Sequence, residues 1–189
     1  GSFAVTTTSG PGLSLKSEAI GLAVMTELPL VIVDVQRAGP ATGMPTKPEQ
    51  GDLMQAVWGR NGESPCVVIA ASTPANCFDY AFMAGKLAME HMVPVILLSD
   101  GYLANGSEVW SVPQMESLPD INPPLVKDND PDYQPYRRNE NTLVISFKAE
   151  RPGSRSGDGY ARPHRRRQTP LPASRMRSLE FRMTFVFTV

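Results

Sequence analysis

The sequence predicts an α/β fold, a partial doubly wound parallel sheet followed by an irregular C-terminal tail. Three observations predict it. Leu30-Val31-Ile32-Val33, residues 66–71 and Val95-Ile96-Leu97-Leu98 are short, almost uninterrupted apolar runs. Strands that are apolar on both faces belong to parallel sheets covered by helices on each side. The first and last of these runs follow segments of helical length, each ended by a proline, Pro29 or Pro94. All of this lies in the first 110 residues, after which the pattern stops.

The elements follow in order. Residues 5–8 are a β-branched run and predict a strand. Ser9-Gly10-Pro11-Gly12 reads as the turn that ends it. Ser14 is placed to cap the next helix, and Glu18 sits near its positive end. That helix is expected to run to about Glu27, with Leu15, Ala19, Leu22, Ala23 and Thr26 as its inward stripe. Pro29 breaks it and the strand at 30–33 follows. Residues 37–51 then form a loop of about 15 residues, rich in Gly, Pro and Thr. Loops of that length inside compact domains are usually functional. Residues 52–59 are a short helix candidate, and Asn61-Gly62 is a turn. Residues 66–71 read as a second buried strand. Thr73-Pro74 is a helix start, with Thr as the cap and Pro at the first helical position. Phe78, Phe82, Gly85 and Met89 share one face of that helix, and Trp58, Phe78 and Phe82 are expected in the core. Residues 22–33 and 87–98 echo each other at an offset of 65, which reflects the common grammar of βα units rather than a duplication.

The remainder differs in character. Residues 111–142 spread six prolines through an acidic stretch and read as an extended linker. Residues 143–189 are a basic tail, expected to be disordered. The net charge of −1 conceals this split: residues 1–142 hold 8 Lys and Arg against 16 Asp and Glu, whereas residues 143–189 hold 10 against 3.

Composition excludes several classes. Cys66 and Cys77 form no C-x-x-C pattern, so an iron–sulfur or zinc site cannot be assembled from this chain alone. Two sparse cysteines and no signal peptide fit a reducing, cytoplasmic setting. No apolar run reaches the roughly 18 residues of a membrane span. His91 reads as a solvated helix-end residue. The Arg165-Arg166-Arg167 cluster has charge for phosphate but no interleaved aromatics and no recognisable module, so a solvated tail is preferred to a nucleic-acid contact. Neither a G-x-G-x-x-G nor a Walker sequence is present.

Arg37 follows a buried strand at its carboxyl end, where open α/β sheets place ligands. A guanidinium can hold a carboxylate through two parallel hydrogen bonds. The bland reading is a surface arginine paired with Asp34 or Glu49, and on the residues alone the two weigh equally. Thr42 could donate to a ligand oxygen, although a plain turn explains it by itself. Lys47 could meet a second carboxylate, or be a solvated charge. Gly10 and Gly12 allow a close backbone approach, by a ligand or only by a tight turn.

The run Thr6-Thr7-Thr8-Ser9-Gly10-Pro11-Gly12, with Pro29 and the strand leading to Arg37, resembles the pyrimidine-binding domain of thiamine diphosphate enzymes. The stretch from Gln36-Arg37-Ala38-Gly39-Pro40 through Thr42 and Lys47, continued by Glu49-Gln50-Gly51-Asp52-Leu53 and Leu98-Ser99-Asp100, narrows this. It is similar to the alpha subunits of 2-oxoacid:ferredoxin oxidoreductases, with a loop of the 2-oxoglutarate type. The resemblance covers residues 4–142. It implies a partial pyrimidine-binding domain over 1–110, the linker over 111–142 and the tail over 143–189.

It further implies oxidative decarboxylation of a 2-oxo acid to its coenzyme A thioester, with ferredoxin as acceptor. Thiamine diphosphate would be shared with a beta subunit that carries the diphosphate-binding domain, Mg2+ and iron–sulfur clusters lying on partner subunits. Arg37, Thr42 and Lys47 would be substrate-binding, and Gly10 and Gly12 would contribute weakly to the cofactor site. The activating Glu of the family is expected outside this chain, so no catalytic residue is assigned, and the isolated chain is expected to be inactive. From about Val144 the family pattern stops, as after a change of reading frame. The rival reading is a non-catalytic assembly subunit of the same complex.

Overall fold

The structure is a computed structural model that describes residues 3–123, together with the strand backbone at 125–126, 138–139, 142–145 and 147–148. The linker and tail expectations beyond residue 123, including Arg165 to Arg167, lie largely outside the described residues.

Four parallel strands form one open sheet in the order β1-β2-β4-β3: β1 Ala4–Thr8, β2 Leu30–Gln36, β3 Val67–Ala70 and β4 Pro94–Asp100. Helices α1 (Gly10–Leu15), α2 (Ser17–Thr26), α3 (Leu53–Trp58), α4 (Asn76–His91) and α5 (Gly101–Asn105) connect or follow them. Strand alternation divides the core in two. Ile32, Ile96 and Leu98 join Leu13 and Ile20 of the first two helices and Ala56 of α3. Val31 and Val95 point the other way, onto Ala84 and Ala88 of α4. Helices therefore cover both faces, as the apolar strands predicted. The central strand β4 is buried almost throughout, whereas β3, at the edge, is only half-buried along its length.

The sequence echo has a structural counterpart. Glu27 (φ 56°) and Met92 (φ 52°) end their helices in the left-handed conformation. The next N–H in each case, Leu28 and Val93, donates back to the carbonyl of Ala23 (3.0 Å) or Ala88 (3.3 Å). This is the Schellman pattern, and it shows that both helices stop before the prolines that follow them.

Three sequence expectations are corrected. Ser9-Gly10-Pro11-Gly12 is not a turn: helix α1 begins at Gly10, with Ser9 as its N-cap residue and Pro11 in the first turn. The backbone then breaks step at Lys16, which shifts the helical phase. Leu13, Ile20 and Ala23 are buried, while Leu15 is 88% exposed and Ala19 and Leu22 also face outward. Trp58 is 69% exposed, because α3 buries Ala56 and Val57 instead. Phe78 is likewise exposed on one side and packs its ring against Trp110, 5.2 Å between centroids, while the small residues Ala84 and Ala88 make the buried face of α4.

Thr73 acts close to its predicted role, its Oγ accepting the N–H of Asn76 at 3.3 Å. His91 is the exposed last residue of α4. Residues 106–123 have no regular structure apart from one 3-10 turn, Met115–Ser117, and are tied along α4. Glu108 accepts from the Ala75 N–H at 2.8 Å, and Glu90 accepts from the Asn122 N–H at 3.1 Å.

Candidate functional site

Strands β1 and β2 end side by side, with Thr8 in register with Asp34. Above these carboxyl ends lies an open cleft of about 440 Å³. Thr7, Thr8 and Ser9 line it from the end of β1, Gln36 and Arg37 from the end of β2, and Gly12 from α1. This is the ligand-facing rim of an open parallel sheet.

Arg37 is half-buried at this rim, and its Nε is shielded from solvent with no acceptor. It makes no ion pair with Asp34 or Glu49; among the described residues the salt bridge within 4.0 Å is Lys86–Glu90. The ion pair with Asp34 or Glu49 is thus absent, and the Arg37 Nε is left without a partner.

Loop 37–51 is folded back on itself rather than slack. Ala38 bridges Met44, the Met44 N–H donating to the Ala38 carbonyl at 2.7 Å, and the Ala38 N–H donates to the Lys47 carbonyl at 2.8 Å. Glu49 accepts from the Gly39 N–H at 2.9 Å. Gly39, Ala41 and Gly43 all have positive φ, of 84°, 55° and 64°. For Ala41 this is a strained conformation, of a kind that surrounding contacts must enforce. At Gly43 a Cβ would stand 2.4 Å from the Ala38 carbonyl oxygen, so only glycine closes this turn. Thr42, inside the turn from Pro40 to Gly43, and Lys47 are both exposed on the loop and are not among the cleft-lining residues. The structure thus brings Arg37 and Gly12 to the cleft, leaves Thr42 and Lys47 on the loop beside it, and buries Gly10 elsewhere.

The two glycines are explained by internal packing. A Cβ on Gly10 would lie 2.5 Å from Asp52 Oδ1, and one on Gly12 would lie 1.9 Å from Thr8 Oγ. Neither leaves a cradle for a ligand to fill. The cleft itself is polar and open, and no carboxylate is among its lining residues. A small anion could meet the Arg37 guanidinium there.

A network not anticipated from sequence fastens the root of the loop. Gln36 is buried; its Oε accepts the Asp52 N–H at 2.9 Å and its Nε donates to the Ser99 carbonyl at 3.2 Å. Gln36 and Asp52 are the residues on either side of the loop, so this bond closes its neck. Asp100, capping α5, accepts from the N–H groups of Tyr102 (2.7 Å) and Leu103 (2.9 Å), and from Gln50 Nε at 2.6 Å. Asp34 lies beneath, fully buried, within hydrogen-bonding reach of Asp52. Burial, with the nearby Asp52 carboxylate, pushes the Asp34 carboxyl up to about 7. Asp52 is also raised, chiefly by burial and further by Glu49, with Asp34 and the Gly10 N–H acting the other way. A signal for the missed residues existed: Thr7 and Thr8 fall at the carboxyl end of the predicted strand 5–8, and Ser9 and Gln36 at the ends of the observed β1 and β2.

Residues 1–167 match the family described as pyruvate flavodoxin/ferredoxin oxidoreductase, thiamine diphosphate-binding. Over 147 residues the chain is 56% identical to the 2-oxoglutarate oxidoreductase subunit KorA of Mycobacterium tuberculosis, covering 78% of this chain and 22% of that protein. It is 48% identical over 109 residues to the 2-oxoglutarate synthase subunit KorA of Methanothermobacter marburgensis, covering 58% of this chain and 29% of the relative. A solved 2-oxoglutarate:ferredoxin oxidoreductase from Magnetococcus marinus, with 2-oxoglutarate, coenzyme A and succinyl-CoA bound, is 48% identical with a TM-score of 0.54. That match covers 55% of this chain and 18% of the solved one. The chain therefore spans under a third of the length of these relatives.

Proposed function

The chain belongs to the thiamine diphosphate-binding pyruvate flavodoxin/ferredoxin oxidoreductase family, and from that premise we propose that it supplies the substrate-facing loop of a 2-oxoacid:ferredoxin oxidoreductase acting on 2-oxoglutarate. The observation that carries this reading is the spare guanidinium of Arg37 at the rim of an open polar cleft. Arg37 holds the C1 carboxylate of the acid. Thr42, on the preformed turn, donates to an oxygen at the same end, and Lys47 meets the distal carboxylate that distinguishes 2-oxoglutarate from pyruvate. The names of the Mycobacterium and Methanothermobacter relatives support the choice of acid.

Thiamine diphosphate, when bound, supplies the nucleophile for the 2-oxo carbon and the electron sink for decarboxylation. The part of this chain is to orient the acid: Arg37 pairs with the carboxylate of the bound acid and gives up that pairing when the carboxylate leaves as carbon dioxide. Gly12 and the hydroxyls at the end of β1 form one wall of the shared site. Gly10 contributes through packing. A beta subunit holds the diphosphate with Mg2+, iron–sulfur clusters on partner subunits carry electrons to ferredoxin, and coenzyme A accepts the acyl group. Residues 1–110 belong to the pyrimidine-binding domain, 111–142 are the linker and 143–189 the tail. No helix among the described residues is long and apolar enough to cross a membrane.

Arg37→Ala in the assembled complex tests this. Losing a charged contact of about 1.5–3 kcal/mol raises the apparent KM for 2-oxoglutarate roughly 10- to 150-fold. A change below about twofold would show that the loop does not hold the acid and would favour an assembly role.

A further inference from the structure

We propose that Asp34 and Asp52 share a single proton across the neck of loop 37–51, and that this proton holds the root of the loop against β2. The geometry is that of two acceptors facing each other. Asp34 is 0% exposed, and both of its carboxylate oxygens lack a donor. Asp52 Oδ2 is buried and also lacks one. A buried ionised carboxylate without a donor is costly. Two of them in contact add repulsion, which a single shared proton removes by making one carboxyl the donor to the other.

The surroundings offer no better solution. In register with Asp34, β4 presents Leu98 and β1 presents Thr8, whose hydroxyl is donated to the Ser9 carbonyl at 3.3 Å. Helix α1 presents the buried Gly10, whose backbone N–H acts on Asp52. The loop presents Glu49, which adds negative charge. Helix α3 contributes Asp52 itself. Gln36 is neutral, and its amide oxygen is occupied by the Asp52 N–H. Arg37 follows Asp34 by three residues and lines the cleft without pairing with it.

The position of the pair gives it a consequence. Asp34 belongs to the strand that enters the loop, and Asp52 is the first residue beyond its exit. With the proton in place the carboxyls attract and the neck stays shut beside the Gln36 bond. Without it they repel, and Asp52 is driven off β2 together with the end of the loop. That the loop in turn presents Arg37 to a 2-oxo acid rests on the function proposed above; the shared proton does not.

The experiment follows the aspartate carboxyl carbons of the full 189-residue chain by NMR across pH, without substrate. The expected result is a coupled titration with an apparent pKa near 7, and an Asp52 amide resonance that moves with it. In Asp34→Asn both responses vanish. Should that variant fail to fold, Asp52→Asn serves instead: it leaves Asp34 with an amide donor and drives the surviving titration to lower pH. Titration of both aspartates below about pH 5, in the ordinary carboxylate range, overturns the shared proton. A titration near 7 that leaves the Asp52 amide unmoved overturns its hold on the loop. Neither outcome bears on the Arg37→Ala kinetics, so the two readings fail separately.

Discussion

Strands β2 and β4 lie side by side and each buries an aspartate near its carboxyl end, Asp34 at 0% exposure and Asp100 at 3%. The two are treated in opposite ways. Asp100 receives three donors, two from the first turn of α5 and one from Gln50. Asp34 receives none from an amide, and faces another carboxylate. The residue type and the burial are the same, so the donors decide the chemistry. A capped carboxylate is a fastener, and an uncapped one is a proton store.

Removing each carboxylate in turn separates the two roles by the sign of the effect on stability. Asp34 has its folded pKa raised from 3.8 to about 7, so the native state binds a proton that the unfolded chain has released. Native stability is therefore highest below the unfolded pKa and falls as pH rises from about 4 to about 7, by at most roughly 1.4 kcal/mol per pH unit. Above that window the full cost remains. Asp34→Asn is expected to flatten the slope and to stabilise the chain at pH 8 by roughly 2–4 kcal/mol, less any cost of the new amide. Asp100→Ala is expected to destabilise it at the same pH by roughly 2–4 kcal/mol, since two helix N–H groups and the Gln50 amide lose a charged acceptor. Urea unfolding of both variants across pH checks the signs. Two losses of similar size at pH 8 would mean that Asp34 is also a fastener.

Gly10→Ala sharpens the comparison from the other side of the pair. Its Cβ would arrive 2.5 Å from Asp52 Oδ1 and 2.7 Å from Cγ, so the carboxyl must move. Overpacking of this kind costs about 1–3 kcal/mol. Because it parts Asp52 from Asp34, the shallower pH slope should appear with the loss in stability. Gly62→Ala is the control: it has a left-handed φ of 69° but nothing within 4 Å, so it costs only about 1–2 kcal/mol and leaves the slope alone.

The same contrast explains what the sequence could disclose. The parallel α/β layer was legible because central strands read as unbroken apolar runs, and Pro29 and Pro94 marked the helix stops to within about three residues. The place of Arg37 at the sheet rim was legible because a strand end is visible in one dimension. The error over α1 had a local cause: Gly-Pro-Gly normally signals a turn, yet here the glycines let Thr8 and Asp52 approach a helix. Trp58 is exposed despite its large apolar side chain, because α3 is anchored by Ala56 and Val57. Asp34 reads within the sequence only as the polar residue after an apolar run, a candidate partner for Arg37. Its true neighbour is 18 residues away across a loop whose path no periodicity records. Donor counts are a property of the fold, and they separate Asp34 from Asp100.

The smallest expected effect tests how much of the loop's hold comes from Asp100. Gln50 donates to Asp100 Oδ2 at 2.6 Å, from the end of the loop two residues before Asp52. Gln50→Ala leaves the two α5 N–H donors in place, so Asp100 stays capped and partly solvated. The loss is one hydrogen bond to a charged group on an exposed side chain, about 1 kcal/mol. If Gln50 only fastens, the pH slope of unfolding keeps its shape and shifts down as a whole. If the slope flattens as well, Gln50 and the Asp34–Asp52 proton hold the same neck, and the two ends of β2 and β4 act as one device rather than two.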